Sequence, residues 1–186
     1  MTPSHPANAP ATSPAELDDA TLAFAEKMFD AARAGDAAEL AHWLGHGLPA
    51  NLRNAKGDSL LMLASYHGHA EAAALLMRHG ADADQDNGRG QTPLAGAAFK
   101  GDLAMATLLL DGGATVDRAT ADGRTALMFA AMFNRVEIMR LLMSRGADPQ
   151  ARDQQGTTAL ACAMAMGAQD AVACLQEPAQ AARTSG

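Results

Sequence analysis

Residues that favour β-strands are scarce in this chain of 186 residues. Val116, Val136 and Val172 are its only valines, Ile138 is its only isoleucine, and aromatic residues make up 4% of the sequence. Strands are enriched in β-branched and aromatic side chains. About 45 residues are alanine, and alanine is the strongest helix former. The composition therefore predicts an all-α protein.

Clustered basic residues, long apolar runs and a secretory leader are also lacking. The 14 lysines and arginines are scattered, and 21 acidic residues give a net charge of −7, whereas nucleic-acid-binding domains carry basic clusters. No run of 18 apolar residues is available to span a membrane. Residues 1–12 contain three prolines and no lysine or arginine, which is unlike a signal peptide. We therefore expect a cytoplasmic protein that binds neither nucleic acid nor a membrane.

Cysteine is nearly absent, since only Cys162 and Cys174 are present, too few for a disulfide framework. Both fall at positions predicted to face inwards, where cysteine packs as a small apolar residue. Whether the two thiols ever pair stays open at this point, although a disulfide is unusual in a reducing cytoplasm.

Glycine, by contrast, recurs with a period of 33 residues in three independent series. The first series is Gly57, Gly90, Gly123 and Gly156, the second is Gly35, Gly68, Gly101 and Gly167 with Asn134 in the gap, and the third is Gly47, Gly80, Gly113 and Gly146. Apolar residues follow the same period at Leu61, Leu94, Leu127 and Leu160, and at Leu76, Leu109, Leu142 and Leu175. A shared period of this length indicates stacked structural repeats.

One repeat is predicted to contain two short antiparallel helices. An apolar stretch, Ser59–His67, forms the first helix, which Gly68 ends because glycine tolerates a left-handed C-cap. The second helix, Ala70–His79, ends at Gly80, and a polar turn follows over Ala81–Arg89. Such a pair cannot bury its apolar face alone, so several units must stack.

Three segments carry a resemblance to the ankyrin repeat family, and in particular to small single-domain bacterial ankyrin repeat proteins. They are Gly90-Gln91-Thr92-Pro93-Leu94 leading to Ala97-Ala98-Phe99-Lys100-Gly101, then Leu75–Asp82, and then Leu141–Asp148. The resemblance covers about Thr21–Gln176. It implies an ankyrin repeat α-solenoid of about five helix-turn-helix units joined by β-turns or hairpin loops.

The repeat domain is predicted to span 13–177, between a disordered N-terminal tail at 1–12 and a disordered C-terminal tail at 178–186. Its units are 21–53, 54–86, 87–119, 120–152 and 153–177. The sequence Ser13-Pro14-Ala15-Glu16 matches a capping box that would start a longer covering helix over about 14–34. Pro178 is predicted to end the last helix.

Two departures from the family pattern have structural consequences. The histidine that follows Thr-Pro-Leu in the family is replaced by Met62, Ala95, Met128 and Ala161, which puts the hydrogen bonds it makes between units in question. Gly96 lies inside a helix, where glycine costs about 1 kcal/mol relative to alanine. Its counterparts are Leu63, Phe129 and Cys162. Close packing against Phe129 is our explanation for the glycine.

Catalytic and metal-binding patterns are weak. No nucleophile is paired with a base, and no glycine-rich phosphate loop occurs, so we expect neither enzymatic activity nor a cofactor. His42 and His46 are four residues apart on one helix, and His79 lies one period after His46. The spacing leaves open a regulator that responds to a metal or a small molecule through these histidines. The other interpretation is solvated histidines at helix ends.

The residues that the repeat does not explain lie just before the glycine after each first helix. They are Tyr66 and His67, Phe99 and Lys100, Met132 and Phe133, and Ala165 and Met166. Because the fixed leucines and alanines fill the core, these side chains are predicted to form a row that faces away from it. Aromatic residues and methionine are enriched at interface centres. The alternative is partial burial against the neighbouring unit.

The resemblance implies that this row and the turn tips bind a protein partner on the concave face of the stack. The predicted partner-binding residues are Tyr66, His67, Phe99, Lys100, Met132, Phe133, Arg89, Arg124, Lys56, Asp58 and Asp122. We expect a monomeric, non-catalytic interaction module with an unidentified protein partner. Similarity to small bacterial ankyrin repeat proteins suggests an accessory role beside a protein such as a stress-response enzyme.

Overall fold

The all-α prediction is confirmed by a computed structural model that describes residues 19–181, with side chains over 21–177. The helices are α1 (Asp19–Ala34), α2 (Ala37–Gly45), α3 (Leu60–Tyr66), α4 (Ala70–Arg78), α5 (Pro93–Lys100), α6 (Leu103–Asp111), α7 (Ala126–Met132), α8 (Val136–Ser144), α9 (Ala159–Met166) and α10 (Gln169–Ala181). Within these residues the only β-type pairing is an isolated bridge between Arg53 and Ser59. No helix in the described part of the chain is long and apolar enough to cross a membrane. The predicted N-terminal tail, the capping box at 13–16 and the tail residues 182–186 lie outside the described residues.

The helices form two parallel rows, with one helix of each unit in each row. The first helices, α1, α3, α5, α7 and α9, contact one another in sequence, and so do the second helices, α2, α4, α6, α8 and α10. The core lies between the rows. Leu61, Leu94 and Leu127 enter it from the first row, and Leu76, Leu109 and Leu142 enter it from the second. The corresponding Leu160 and Leu175 of the last unit are only half-buried, because no further unit within the described residues covers them.

A hydroxyl side chain starts each first helix of the last four units. The side chains of Ser59, Thr92, Thr125 and Thr158 accept hydrogen bonds from the backbone N–H three residues later, at 3.0, 3.2, 3.4 and 3.3 Å. Capping of this kind satisfies a helix N–H that has no partner within the helix. The period of 33 residues therefore also sets where the helices begin.

Neighbouring loop tips approach so closely that they leave no room for a side chain. A Cβ on Gly57 would lie 2.4 Å from the Gly88 nitrogen, and a Cβ on Gly90 would lie 2.3 Å from the Cβ of Ala121. Both glycines also have a positive φ, +81° and +70°. No described atom lies within 4 Å of a Cβ placed on Gly156, the corresponding residue of the last unit. Gly156 nevertheless shares the positive φ, at +77°, so the turn accounts for the whole series and the contact between units adds a second reason at Gly57 and Gly90.

Side chains at a second recurring position tie each unit to the next. Asn51 Oδ1 accepts from the backbone N–H of Asp82 at 2.7 Å, and Asp84 Oδ1 accepts from that of Thr115 at 2.9 Å. One period later, a hydrogen bond of 3.0 Å joins the Asp148 N–H to Asp117 Oδ2. These hydrogen bonds connect the units although the family histidine is absent.

Each loop tip is stabilised from within by a polar side chain. Asn54 and Asn87 each accept two backbone hydrogen bonds from the following tip, at 2.9 to 3.0 Å. In the last unit Asp153 occupies this position and accepts from the N–H groups of Gln155 and Thr157 at 2.9 and 2.8 Å. These hydrogen bonds, led by that of Thr157, hold the pKa of the buried Asp153 carboxyl below its ordinary value.

Two predictions about local structure are wrong: the reason for Gly96 and the end of the last helix. A Cβ on Gly96 would first meet Cδ2 of Tyr66, at the ordinary contact distance of 3.8 Å, and not the ring of Phe129. Crowding therefore does not explain this glycine. Helix α10 continues three residues beyond Pro178 to Ala181. Proline removes one backbone donor, and this loss does not end the helix here.

Replacing Gly96 by alanine is expected to stabilise the protein by about 1 kcal/mol, since the backbone is helical and the site has room for a methyl group. Urea denaturation should show a higher midpoint with an unchanged slope. An equal or lower midpoint would mean that the helix cannot take a methyl group there.

Gly90→Ala in the same unit is expected to act in the opposite direction. The added methyl group would overlap Ala121, and φ is +70°. We expect a loss of at least about 1 kcal/mol in the same urea experiment. Stability equal to that of the wild type would show that the loop tips separate easily.

Asp153→Asn is expected to flatten the acid limb of the stability profile. Since folding lowers the pKa of this carboxyl, its contribution is present above the unfolded-state pKa, about 4. It is lost as the pH falls through the lower folded-state pKa. Asparagine retains the acceptor oxygen, as at Asn54 and Asn87, but does not titrate. Urea midpoints measured between pH 7 and pH 2.5 should fall less for the variant; parallel profiles would contradict this account.

Candidate functional site

A groove of about 620 Å³ runs across the first helices α3, α5 and α7 and the adjoining loop tips. It extends over units 54–86, 87–119 and 120–152, with one residue from α1. Its lining residues are Arg33, Lys56, Asp58, Met62, Leu63, Tyr66, His67, Asn87, Arg89, Gln91, Thr92, Ala95, Gly96, Phe99, Arg124, Phe129, Met132 and Phe133.

The apolar side chains of the groove come from equivalent positions in successive units. Tyr66 is 45% exposed and Phe99 is 41% exposed, which is unusual for large aromatic side chains. Met132 and Phe133 are half-buried, and the Phe133 ring packs edge-to-face on Phe99 with centroids 4.6 Å apart. Partial burial against a neighbour therefore describes the α7 members of the row, whereas the α3, α5 and α9 members face solvent, and Met166 is exposed without lining the groove.

Lys100, which belongs to the unit after that of Tyr66, holds Tyr66 in position. Its ammonium group donates a hydrogen bond of 2.6 Å to the Tyr66 carbonyl oxygen and lies 4.6 Å from the centroid of the Tyr66 ring. A cation at this distance is attracted to the ring face. The hydrogen bond also satisfies a carbonyl near the end of α3 that has no partner within the helix. Lys100 therefore supports the groove from the side and does not line it.

The rim of the groove is predominantly basic. Lys56 and Arg89 occupy the same position in two adjacent loop tips, and both side chains are exposed. Neither side chain makes a hydrogen bond or an ion pair within the described residues. Arg124, in the next unit, is instead held by Asp122 and Asp153, with Nε to carboxylate distances of 3.3 and 3.7 Å.

Most of the residues predicted to bind a partner lie together in this groove. Those that line it are Tyr66, His67, Phe99, Met132, Phe133, Arg89, Arg124, Lys56 and Asp58, whereas Lys100 and Asp122 do not. Asp122 is occupied by Arg124 and by a hydrogen bond from the Thr120 hydroxyl. The role of all eleven residues in binding a partner stays a prediction.

Two lining residues that sequence reasoning did not place in the groove are Arg33 and Gly96. Arg33 lies one period before Tyr66, so the repeat itself is the signal that could have found it. Its guanidinium pairs with Asp30 at 2.5 Å. The sequence marks Gly96 only as a weak position in its helix. Its absent side chain opens the floor of the groove between α3 and α7.

Of the described histidines and cysteines, only His67 lines the groove. The rings of His42 and His46 have centroids 4.5 Å apart, and His46 Nδ1 lies 2.7 Å from the His42 carbonyl oxygen. Among the described residues, no three histidine, cysteine or carboxylate side chains gather where they could hold a metal ion. Cys162 and Cys174 are buried free thiols, and burial raises the pKa of Cys162, which makes it a poorer nucleophile.

Comparison with known proteins is consistent with this architecture. The family model described as ankyrin repeats (3 copies) matches residues 28–120 and again residues 97–184. A protein of Pseudomonas aeruginosa that is named as an ankyrin repeat protein is 58% identical over 60 residues. That match covers 32% of this chain and 35% of the relative, so the chain spans about a third of the length of the curated protein it matches.

Proposed function

Because the chain belongs to the ankyrin repeat family, we propose that it is a non-catalytic module that binds a protein partner in the groove described above. Proteins of this family generally mediate protein–protein interactions. The observation that supports this groove as the binding surface is the exposure of two aromatic side chains, Tyr66 and Phe99, at equivalent positions of adjacent units that both line it. Exposed apolar patches rimmed by polar groups are typical of interaction sites.

The mechanism is docking onto a surface that exists before the partner arrives. The residues that support the groove are held by contacts between units, such as the Lys100 hydrogen bond to Tyr66 and the Phe99–Phe133 packing. A surface held in this way loses little conformational entropy on binding. Tyr66 and Phe99 serve as the apolar anchors. Lys56, Arg89 and Arg124 supply polar contacts at the rim.

The kind of protein partner is a second and more specific part of the proposal. An accessory role in the cytoplasm beside a stress-response enzyme is supported only by the similarity to small bacterial ankyrin repeat proteins. The groove itself carries no feature that is specific for such an enzyme. It constrains the partner through apolar surface and charge.

Tyr66→Ser combined with Phe99→Ser is expected to abolish capture of the partner while the fold is retained. Both rings are more than two-fifths exposed, so their loss removes little of the core. The measurement is affinity capture from a lysate of the source organism, quantified by mass spectrometry, alongside circular dichroism and thermal melting. Proteins captured by the wild type should fall by about tenfold or more, as for truncation of interface anchors.

Leu103→Ser provides a matched control, since Leu103 is an exposed apolar residue, 37% exposed, on α6 in the other row. This variant should capture the same proteins as the wild type. If the double variant folds and captures as well as this control, the groove is not the binding surface. If the double variant unfolds, the two rings belong to the core.

A further inference from the structure

The floor of the groove contains a gap where a repeat position lacks its side chain. Leu63 in α3, Gly96 in α5 and Phe129 in α7 are equivalent residues, and all three line the groove. Leu63 is buried and Phe129 is half-buried, so each fills the space in front of its own helix. Gly96, between them, has no side chain, and the Tyr66 ring lies at the edge of the space that a side chain there would occupy.

The gap does not result from crowding or from an unusual backbone. Gly96 lies within α5 with an ordinary negative φ, and the first atom that an added Cβ would meet is Tyr66 Cδ2 at 3.8 Å. Glycine weakens a helix in which alanine would fit. A weak residue kept at a site that lines the groove is the pattern expected when local stability yields to binding.

The charges around the gap select the partner. The groove is lined by four basic side chains, Arg33, Lys56, Arg89 and Arg124, and by one acidic side chain, Asp58, in a chain whose net charge is −7. Asp58 accepts a hydrogen bond of 3.2 Å from Asn87, and Arg33 and Arg124 are already paired with carboxylates. Lys56 and Arg89 are therefore the cations available to a ligand.

We propose that the groove binds an acidic segment of a partner protein that inserts one large apolar side chain over Gly96. The inserted side chain would pack beside Tyr66 and Phe99, and carboxylates on either side of it would meet Lys56 and Arg89. Electrostatic complementarity of this kind sets specificity and association rate. The inference rests on the proposed function and specifies the class of ligand for the same groove.

Synthetic peptides provide the test. Three 12-residue peptides share a glutamate-rich and serine-containing backbone: one has a central phenylalanine, one has alanine in its place, and one has the central phenylalanine but lysine for every glutamate. Each is titrated into ¹⁵N-labelled protein and followed by amide chemical shifts. The acidic phenylalanine peptide should shift the amides of Tyr66, Gly96 and Phe99. The alanine peptide should bind about tenfold more weakly, and the lysine peptide should not bind.

Variants of the protein test the gap and the charges separately. Gly96→Leu introduces the residue type found at the equivalent position, Leu63. It should lower the affinity for the phenylalanine peptide by about tenfold, because the leucine side chain fills the gap. Gly96→Ala is the matched control and should retain most of the affinity. Lys56→Glu with Arg89→Glu should abolish binding of the acidic peptide. If Gly96→Leu melts early, the affinities of the phenylalanine and alanine peptides for the wild type, together with the charge reversal, decide the outcome.

Results that overturn the inference differ from those that overturn the proposed function. No shift at millimolar acidic peptide, shifts outside the groove, or equal binding of the lysine peptide would each reject the acidic apolar ligand. Unchanged affinity of a folded Gly96→Leu variant would reject the gap as its subsite. Loss of partner capture by the Tyr66 and Phe99 variant would still leave the proposed function intact. Capture that is insensitive to that variant would reject both.

Discussion

Burial of each unit against its neighbour is the interaction on which the rest of the structure depends. A pair of helices of seven to nine residues, such as α3 and α4, is too short to be stable alone. Its leucines become inaccessible only when α1 and α2 cover one side and α5 and α6 cover the other. The half-buried Leu160 and Leu175 show the same rule at the end of the stack. Stability in such an array is approximately a sum over units and their contacts.

The groove follows from the same repetition. When units stack in register, residues that share a position in the repeat form a continuous row. The close approach of the loop tips at Gly57 and Gly88, and at Gly90 and Ala121, sets the spacing of the rim residues. At the other end of each unit, the side chains of Asn51, Asp84 and Asp117 accept hydrogen bonds from the backbone of the next unit. These hydrogen bonds fix the distance between neighbouring units there. Two rows of contacts at opposite ends keep the exposed rings of Tyr66 and Phe99 in place without a partner.

Gly96 shows how a local weakness carries information about function. Helix propensity, packing and capping agree almost everywhere else in the repeats, as natural sequences usually do. Here propensity disagrees with the helix, and the structure offers no steric reason. Gly96 lines the groove together with Tyr66 and Phe99, and with Lys56 and Arg89, whose side chains make no ion pair within the described residues. Agreement of shape and charge at one place is what distinguishes this part of the groove from the rest of the row.

The sequence by itself determined the helices, the period and the side of each helix that faces solvent, because these depend on residues a few positions apart and on exact repetition. The structure shows that nine of the eleven residues predicted to bind a partner line one groove, and their role in binding stays a prediction. Only the tertiary structure decided that Lys100 supports Tyr66 from beside the groove, that Asp122 pairs with Arg124, and that Gly96 faces Tyr66 rather than Phe129. These contacts join different units and depend on side-chain rotamers and on the distance between units, which the period does not encode.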